Sequence, residues 1–313
     1  MAKVCFLGGG FGVKQFLKSG RLFSWVGAAA MTLALFSAVP LRGDEPEQPA
    51  MPITWRSEYR DSMDLARTDG KMMLLWFYDK EKEADSRKWE QEVLESKKIR
   101  PLLDEMVLVR VPTDLEVSIS GTKQKLLHHV AFAEMLRHPG LAMIDMRRKD
   151  SPFYGLVVTV FPFNRGPIDA EKLEVLLTLP AGSLTQRTMI YAVRTHRERP
   201  ESASSDTSHL LLEETRKHSF HQASINLQGH HNWENRFHQI NAQLPAGLVA
   251  TEVCAESWPG QTLVEAAEEC VHSWRQSPGH WSSVRERHPL FGFDIKRGRN
   301  GVWYATGIFA KRH

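Results

Sequence analysis

Apolar strands alternate with amphipathic helical stretches along the chain between residues 53 and 179. Two uninterrupted apolar runs, KMMLLWFYD (71–79) and MVLVRVPTD (106–114), have the length of strands that are buried on both faces of a sheet. The remaining pattern predicts strands at 141–146 and 154–163, and helices at 57–70, 86–105, 128–137 and 169–179. This alternation predicts an α/β layered domain over 53–179.

Helical periodicity dominates the next part of the chain and gives way to strand-like alternation near its end. Three helices are predicted, at 185–199, 209–227 and 263–274. Ser208 is placed to cap the second of them. The stretch ATEVCAESWPGQ (250–261) is predicted to be a loop, and LFGFDIKRGRNGVWYATGIFA (290–310) a hairpin around a glycine-rich turn. Helices followed by a short antiparallel sheet predict an α+β domain over 180–313.

The first 44 residues have the layout of an export signal. Four basic residues and no acidic ones precede an uncharged run at 22–41, and a polar, proline-containing linker follows at 45–52. The uncharged run is close to the roughly 20 residues that span a bilayer. A cleaved signal peptide and an uncleaved N-terminal membrane anchor both fit this pattern. Either one places the body of the protein outside the cytoplasm, in the periplasm or cell envelope or secreted.

Length, charge and cysteine content limit the classes of function that the sequence supports. The 313 residues fit two domains, and their net charge of +3 comes from interleaved basic and acidic side chains, which does not indicate nucleic-acid binding. Cys5 lies in the targeting segment, which leaves Cys254 and Cys270. An even pair in an exported chain predicts one disulfide between them, and two buried free thiols are the alternative.

The order of elements over 53–179 resembles that of the thioredoxin fold. The resemblance rests on the two apolar runs and on RHPGLAMIDM (137–146), in which Pro139 takes the place of the family's cis-proline before a strand. Thioredoxins place a Cys-x-x-Cys pair after the first of these strands, whereas 78–89 contains no cysteine here. The resemblance therefore implies a thioredoxin-like domain without redox activity, which serves as a scaffold or docking surface.

Histidines are concentrated in the second half of the sequence. Of 14 histidines, 11 follow residue 180. Three of them share one predicted helix and are expected to face solvent or to cap it: His209, His218 and His221. The candidates for chemistry stand next to glycines at chain breaks, where a side chain can point into a cleft: His230, His231 and His280.

A specific motif pattern marks the end of the chain. Trp274 and SPGH (277–280) are followed by a short helix, a strand with Gly292 and an aromatic-rich last strand, WYATGIFA (303–310). This pattern resembles the SCP domain of the CAP superfamily, in the bacterial branch of the group that includes cysteine-rich secretory and pathogenesis-related proteins. The resemblance covers 180–313 and implies an α-β-α sandwich, with helices on both sides of a small sheet.

The CAP resemblance implies a cleft that holds two histidines and an acidic residue. The SPGH motif carries one histidine over onto His280, and GHHNWENRF supplies the other, with His231 preferred and His230 as the alternate. The acidic residue falls on Glu252, with Glu256 as the alternate. This part of the sequence departs from the family, because it lacks the Gly-Glu-Asn that usually carries the acid.

Two chemistries are open to such a cluster. Zn²⁺ is the candidate cofactor, with His231 and His280 as ligands in an open site, and acid–base chemistry is the other option. The leading hypothesis is a non-catalytic binding or interaction protein whose partner is a small molecule, a lipid or an envelope polymer. The alternative is a metal-dependent hydrolase that uses His231, Glu252 and His280. Thiol oxidoreductase chemistry is excluded by the missing Cys-x-x-Cys pair.

Overall fold

The computed structural model describes residues 53–119 and 121–312, which belong to one compact unit, Met51–His313. The predicted signal or anchor (1–44) and linker (45–52) lie outside the described residues. Two four-stranded sheets and one two-stranded sheet are combined with helices, which confirms the predicted mixed α/β and α+β class. None of the helices in the described ranges is long and apolar enough to cross a bilayer.

The first sheet is built from the apolar runs predicted as strands. In chain order this part contains α1 (Tyr59–Asp69), β1 (Met72–Tyr78), α2 (Glu83–Trp89), α3 (Arg100–Asp104), β2 (Met106–Pro112), β3 (Glu116–Ile119), β4 (Thr122–Lys125), β5 (Gly140–Asp145), β6 (Val157–Pro162) and α4 (Ala170–Leu177). The strand order is β2-β1-β5-β6, with β1 parallel to β2 and antiparallel to β5. Strand β1 is buried on both faces, since Leu74 and Trp76 pack into one core cluster and Met73 and Leu75 into another. Pro139 directly precedes β5.

The segment 86–105 is not the single helix that its pattern predicts. Helix α2 runs into a π-helical turn (Glu90–Leu94), and α3 begins only after a non-helical stretch. Trp89 and Leu94 are both buried although they are five residues apart. Residues five positions apart lie closer to one face of a π-helix than of an α-helix, because a π turn contains more residues. The π-helical turn therefore allows both side chains to be buried.

The segment 128–137 is also not the predicted α-helix. Two 3₁₀ helices, Leu126–His128 and Val130–Met135, take its place. The backbone then enters the left-handed region at Leu136 and Arg137. Two successive left-handed residues end a right-handed helix, so only short helical pieces fit before β5. The β3–β4 hairpin just before this segment has no counterpart in the sequence prediction.

The second sheet lies between two layers of helices. This part contains α5 (Leu184–Arg194), β7 (Asp206–Thr207), α6 (His209–Ile225), α7 (Trp233–Asn241), β8 (Leu248–Glu256), α8 (Leu263–Gln276), α9 (Pro278–Arg285), β9 (Leu290–Arg297) and β10 (Trp303–Arg312). The strand order is β7-β9-β10-β8, in which β9 and β10 form the predicted hairpin and β8 is an outer strand. Ile308 packs with Leu211 of α6, whereas its neighbour Phe309 packs with Trp274 of α8, so the two helices cover opposite faces.

Two local features fix α6 against the sheet. Ser208 caps the helix as predicted, because its hydroxyl accepts a hydrogen bond from the backbone N–H of Leu211. Gly292 on β9 lies under the same turn of α6, where a Cβ atom would come within 2.5 Å of the Leu211 backbone. Only glycine permits this close approach of helix and strand.

A buried arginine of helix α5 fixes this helix against the first sheet. The guanidinium of Arg187 donates to the Thr159 hydroxyl on β6 at 2.8 Å and to the carbonyl oxygens of Leu179 and Pro180 at 2.8 and 2.7 Å. One core cluster contains side chains from both sheets, among them Trp76 and Phe293. The division into domains at residues 179 and 180 stays a prediction, but the two regions share one continuous core.

Candidate functional site

Strand β8 carries the central residue of the site. The segment 250–261, predicted as a loop, is a strand over most of its length, so its side chains alternate between the two faces of the sheet. Ala250 and Glu252 face α6 and α7, whereas Val253 faces α8. The loop prediction is wrong because its polar residues suggested exposure to solvent, whereas Glu252 is buried against charged partners from other elements.

Glu252 lies at the centre of a buried charge cluster. Arg236 Nη1 and Nη2 donate to its two carboxylate oxygens at 2.6 and 2.7 Å, and His230 Nδ1 donates to Oε1 at 2.9 Å. Burial alone would raise the pKa of Glu252, but the hydrogen bonds from His230 and Arg236 outweigh it and hold this pKa below its usual value. Glu252 is therefore ionised at neutral pH, and both of its oxygens are engaged.

His230 connects Glu252 to His280. Because Glu252 accepts the Nδ1 proton of His230, the Nε2 atom of this ring presents a lone pair. That atom lies 3.4 Å from Nε2 of His280. His280 stands in the first turn of α9, which Pro278 begins in the helix-initiating position. Burial lowers the pKa of His280, so His280 is neutral at pH 7.

The structure places His230, not the preferred His231, in this cluster. His231 Nε2 donates to the carbonyl oxygen of Leu227 at 3.2 Å, and its ring contacts His221 at a centroid distance of 5.4 Å. Consecutive residues of an irregular segment project in different directions, and no periodicity indicates which one faces β8. The structure therefore brings together His230, Glu252 and His280.

The alternate acidic residue, Glu256, lies away from this cluster. It is the last residue of β8, is exposed, and lines a separate groove with Trp258 and Leu227. Glu252 is therefore the acidic residue of the cluster, as the sequence analysis preferred.

The predicted disulfide between Cys254 and Cys270 does not form in the structure. Both thiols are free and buried. Cys254 lies on the Glu252 side of β8, with Sγ 3.7 Å from His230 Nδ1, whereas Cys270 of α8 packs with Val253 on the opposite face. The sheet thus separates the two sulfur atoms. Burial raises the pKa of both thiols, so they are protonated and are not activated nucleophiles at neutral pH.

His218 and Arg236 are the functional residues that the sequence analysis missed. His218 was expected to be solvent-facing or capping, but it is buried, donates from Nε2 to the Gly229 carbonyl oxygen at 2.9 Å and lies 3.7 Å from Glu252. Arg236 stands one helical turn into α7 and points back to β8. The available signal for Arg236 was its position in GHHNWENRF, six residues after His230. That spacing indicates a contact with Glu252 only because α7 packs on β8.

Acidification is expected to destabilise the protein through His218. Burial lowers the pKa of His218 to about 4, while the unfolded chain binds a proton near pH 6.5. The stabilisation is therefore complete above about pH 6.5 and is lost as the pH falls toward 4, which amounts to about 3 kcal/mol. Urea denaturation of His218→Gln at a series of pH values should show a correspondingly flatter decline. A decline unchanged from wild type would contradict this assignment, and exposed His209→Gln serves as the control.

Near Glu252, a group of three side chains and a pair of histidines have donor atoms close enough to hold a metal ion. His218, Glu252 and Cys254 have donor atoms within 4.8 Å of one another. This group does not fit a metal site, since Arg236 occupies both oxygens of Glu252 and the Cys254 thiol is protonated. The second group is the pair of Nε2 atoms of His230 and His280, 3.4 Å apart.

The histidine pair fits two ligand positions of a zinc ion. Two nitrogen ligands at ~2.0–2.1 Å from a tetrahedral zinc lie ~3.3–3.4 Å from each other, which agrees with the observed separation of 3.4 Å. Glu252 supplies the carboxylate that typically fixes the tautomer of a metal-binding histidine. The pair leaves the remaining ligand positions to water or to a bound molecule.

Comparison with known proteins finds similarity only among solved structures, at low sequence identity. No protein-family model matches the chain, and no curated protein matches it. Among solved structures, the chain is similar to an outer surface protein from Borrelia burgdorferi, with 14% sequence identity and a TM-score of 0.28. The similarity covers 35% of this chain and 78% of the other.

Proposed function

We propose that this protein is a non-catalytic binding protein of the cell envelope or the extracellular space, with a metal-dependent cleft at His230 and His280. The SPGH motif and the CAP resemblance of residues 180–313 support this class, and the export-type N-terminus supports the location. In this proposal the first sheet is a thioredoxin-like scaffold without redox cysteines.

One observation carries the proposal: the facing Nε2 atoms of His230 and His280, 3.4 Å apart. The ring of His230 is held in place by the carboxylate of Glu252 before any ligand arrives, and His280 stands opposite it in the first turn of α9. His230 is accessible, since its side chain is 41% exposed. A zinc ion bound here would supply Lewis acidity and open positions for an oxygen-containing ligand.

The residues around the pair favour binding over hydrolysis. A metal-dependent hydrolase needs a free base to accept a proton from the attacking water. Glu252 cannot serve, because Arg236 and His230 already donate to both of its oxygens. The hydrolase hypothesis, with His230 in place of His231, requires a free base at the histidine pair. None of the described residues provides a free carboxylate there.

Zinc titration of the full-length protein tests the proposal. Isothermal titration calorimetry is expected to show one zinc site per chain, and His280→Ala and His230→Ala are each expected to weaken it by about tenfold or more, because each removes one of two protein ligands. His138→Ala, an exposed histidine outside the cluster, is the matched control and should leave the affinity unchanged.

Three results would count against the proposed function. Zinc binding that is unaffected by His280→Ala would place the metal elsewhere, and absence of binding would remove the metal from the proposal. Hydrolysis of ester or peptide substrates that is lost in His280→Ala but present in His138→Ala would favour the hydrolase.

A further inference from the structure

A second groove lies beyond the end of β8, and we infer that it binds a chain of uncharged sugars. The groove has a volume of about 840 Å³ and is bounded by the segment after α6, the loop after β8 and one side of α8. None of its residues belongs to the histidine pair. The inference rests on the proposed binding function, which it deepens by naming an envelope polysaccharide as the ligand.

Trp258 forms an exposed aromatic platform in this groove. Its residue surface is 67% exposed, although such a large apolar side chain is usually buried. The ring is nevertheless held in place, because Nε1 donates to Glu269 at 3.2 Å and the backbone N–H donates to Gln261 at 2.9 Å. A fixed indole with a free face suits the apolar C–H face of a sugar ring, since the electron-rich face attracts the weakly positive C–H groups.

The other walls provide the hydrogen-bonding groups that sugar hydroxyls require. Side chains that both donate and accept come from three separate elements: Asn226, Gln276 and Asn300. Leu227, 56% exposed, adds a second apolar contact. Apolar faces interspersed with amide and carboxylate groups match the alternating C–H and hydroxyl surface of a sugar better than the uniform surface of a lipid tail.

The charge of the groove selects against anionic ligands. Glu256 and Glu269 line it, and none of the described residues that line it is a lysine or an arginine. Phosphate head groups and sulfated or uronic-acid polymers would meet uncompensated repulsion from the two carboxylates. Neutral hexoses and N-acetylhexosamines meet none. The groove therefore favours an uncharged glycan over an anionic glycan or a phospholipid surface.

A panel of immobilised ligands tests this inference with the full-length protein. The panel holds N-acetylglucosamine oligomers, glucans and mannans as uncharged glycans, heparin and uronate oligomers as anionic ones, and phosphatidylglycerol vesicles. We expect binding to at least one uncharged glycan, a loss of about tenfold in affinity for Trp258→Ala, and a smaller loss for Trp258→Phe. Phe220→Ala removes an aromatic side chain that is 62% exposed outside the groove and should bind like wild type.

The outcomes separate this inference from the proposed metal site. Binding only to anionic glycans or vesicles, no binding to any uncharged glycan, or unchanged binding by Trp258→Ala would overturn it. Thermal denaturation checks that Trp258→Ala is folded, and Glu256→Gln provides a second variant, which is expected to weaken repulsion and admit anionic glycans. Zinc titration of Trp258→Ala should match wild type, so a failure of one site is distinguishable from a failure of the other.

Discussion

Replacing Arg187 with methionine is expected to lower the free energy of unfolding by about 3–4 kcal/mol. The guanidinium of Arg187 is buried and satisfies the Thr159 hydroxyl and the carbonyl oxygens of Leu179 and Pro180. Methionine fills a similar volume but leaves these acceptors without a donor, and an unsatisfied buried polar group costs about 1–3 kcal/mol. Urea denaturation followed by far-ultraviolet circular dichroism measures the loss.

Two further variants show whether the effect comes from the hydrogen bonds of Arg187. Arg187→Lys keeps a positive charge but loses the planar fork, so we expect it to be destabilised nearly as much. Arg216→Met removes an exposed arginine that pairs with Glu213 within α6, and we expect a change below about 0.5 kcal/mol. If Arg187→Met were as stable as Arg216→Met, the buried hydrogen bonds would not contribute to the attachment of α5 to the first sheet.

Removing Arg236 is expected to destabilise the protein at pH 7 by about 3–5 kcal/mol. Arg236→Met would remove the two hydrogen bonds that Arg236 donates to Glu252 and leave the carboxylate buried, and burial would then raise the pKa of Glu252 instead of being outweighed. Glu252→Gln in the same chain removes the buried charge, so the double variant should be more stable than Arg236→Met alone. Urea denaturation of the two single variants and the double variant gives this coupling energy directly.

The pH dependence of this pair has a defined sign. The pKa of Glu252 in the folded protein lies below that of the unfolded chain, so its stabilisation is complete above the ordinary carboxyl value of about 4.3 and is lost as the pH falls through the lowered value. Wild type should therefore lose stability more steeply below pH 4.3 than Glu252→Gln does. A double variant no more stable than Arg236→Met, or equal acid slopes, would contradict the role assigned to this pair.

The sequence pattern predicted the structure correctly where the environment of each residue follows from its neighbours in the sequence. The apolar run of β1, the cap at Ser208 and the β9–β10 hairpin were all predicted and are all present. In each case the signal is local, because a few adjacent residues are enough to indicate burial on both faces, a capping hydroxyl or a glycine-rich turn.

Prediction failed where distant elements determine what a residue contacts. Strand β8 looked like a loop because the burial of Glu252 depends on Arg236 from α7. The disulfide prediction paired Cys254 with Cys270 from their number and the expected compartment, but the sheet lies between them. A count of cysteines carries no information about the face of a strand on which each one lies.

The sequence by itself determined the mixed fold class, most helices and strands, and the two candidate residues Glu252 and His280 that the structure places in one cluster. Only the tertiary structure decided that His230 and not His231 completes the cluster, and that Arg236 neutralises Glu252. The physical reason is the range of the interactions. Backbone propensity and hydrophobic period act over a few residues, whereas the pairing of buried charges depends on which helix packs against which strand.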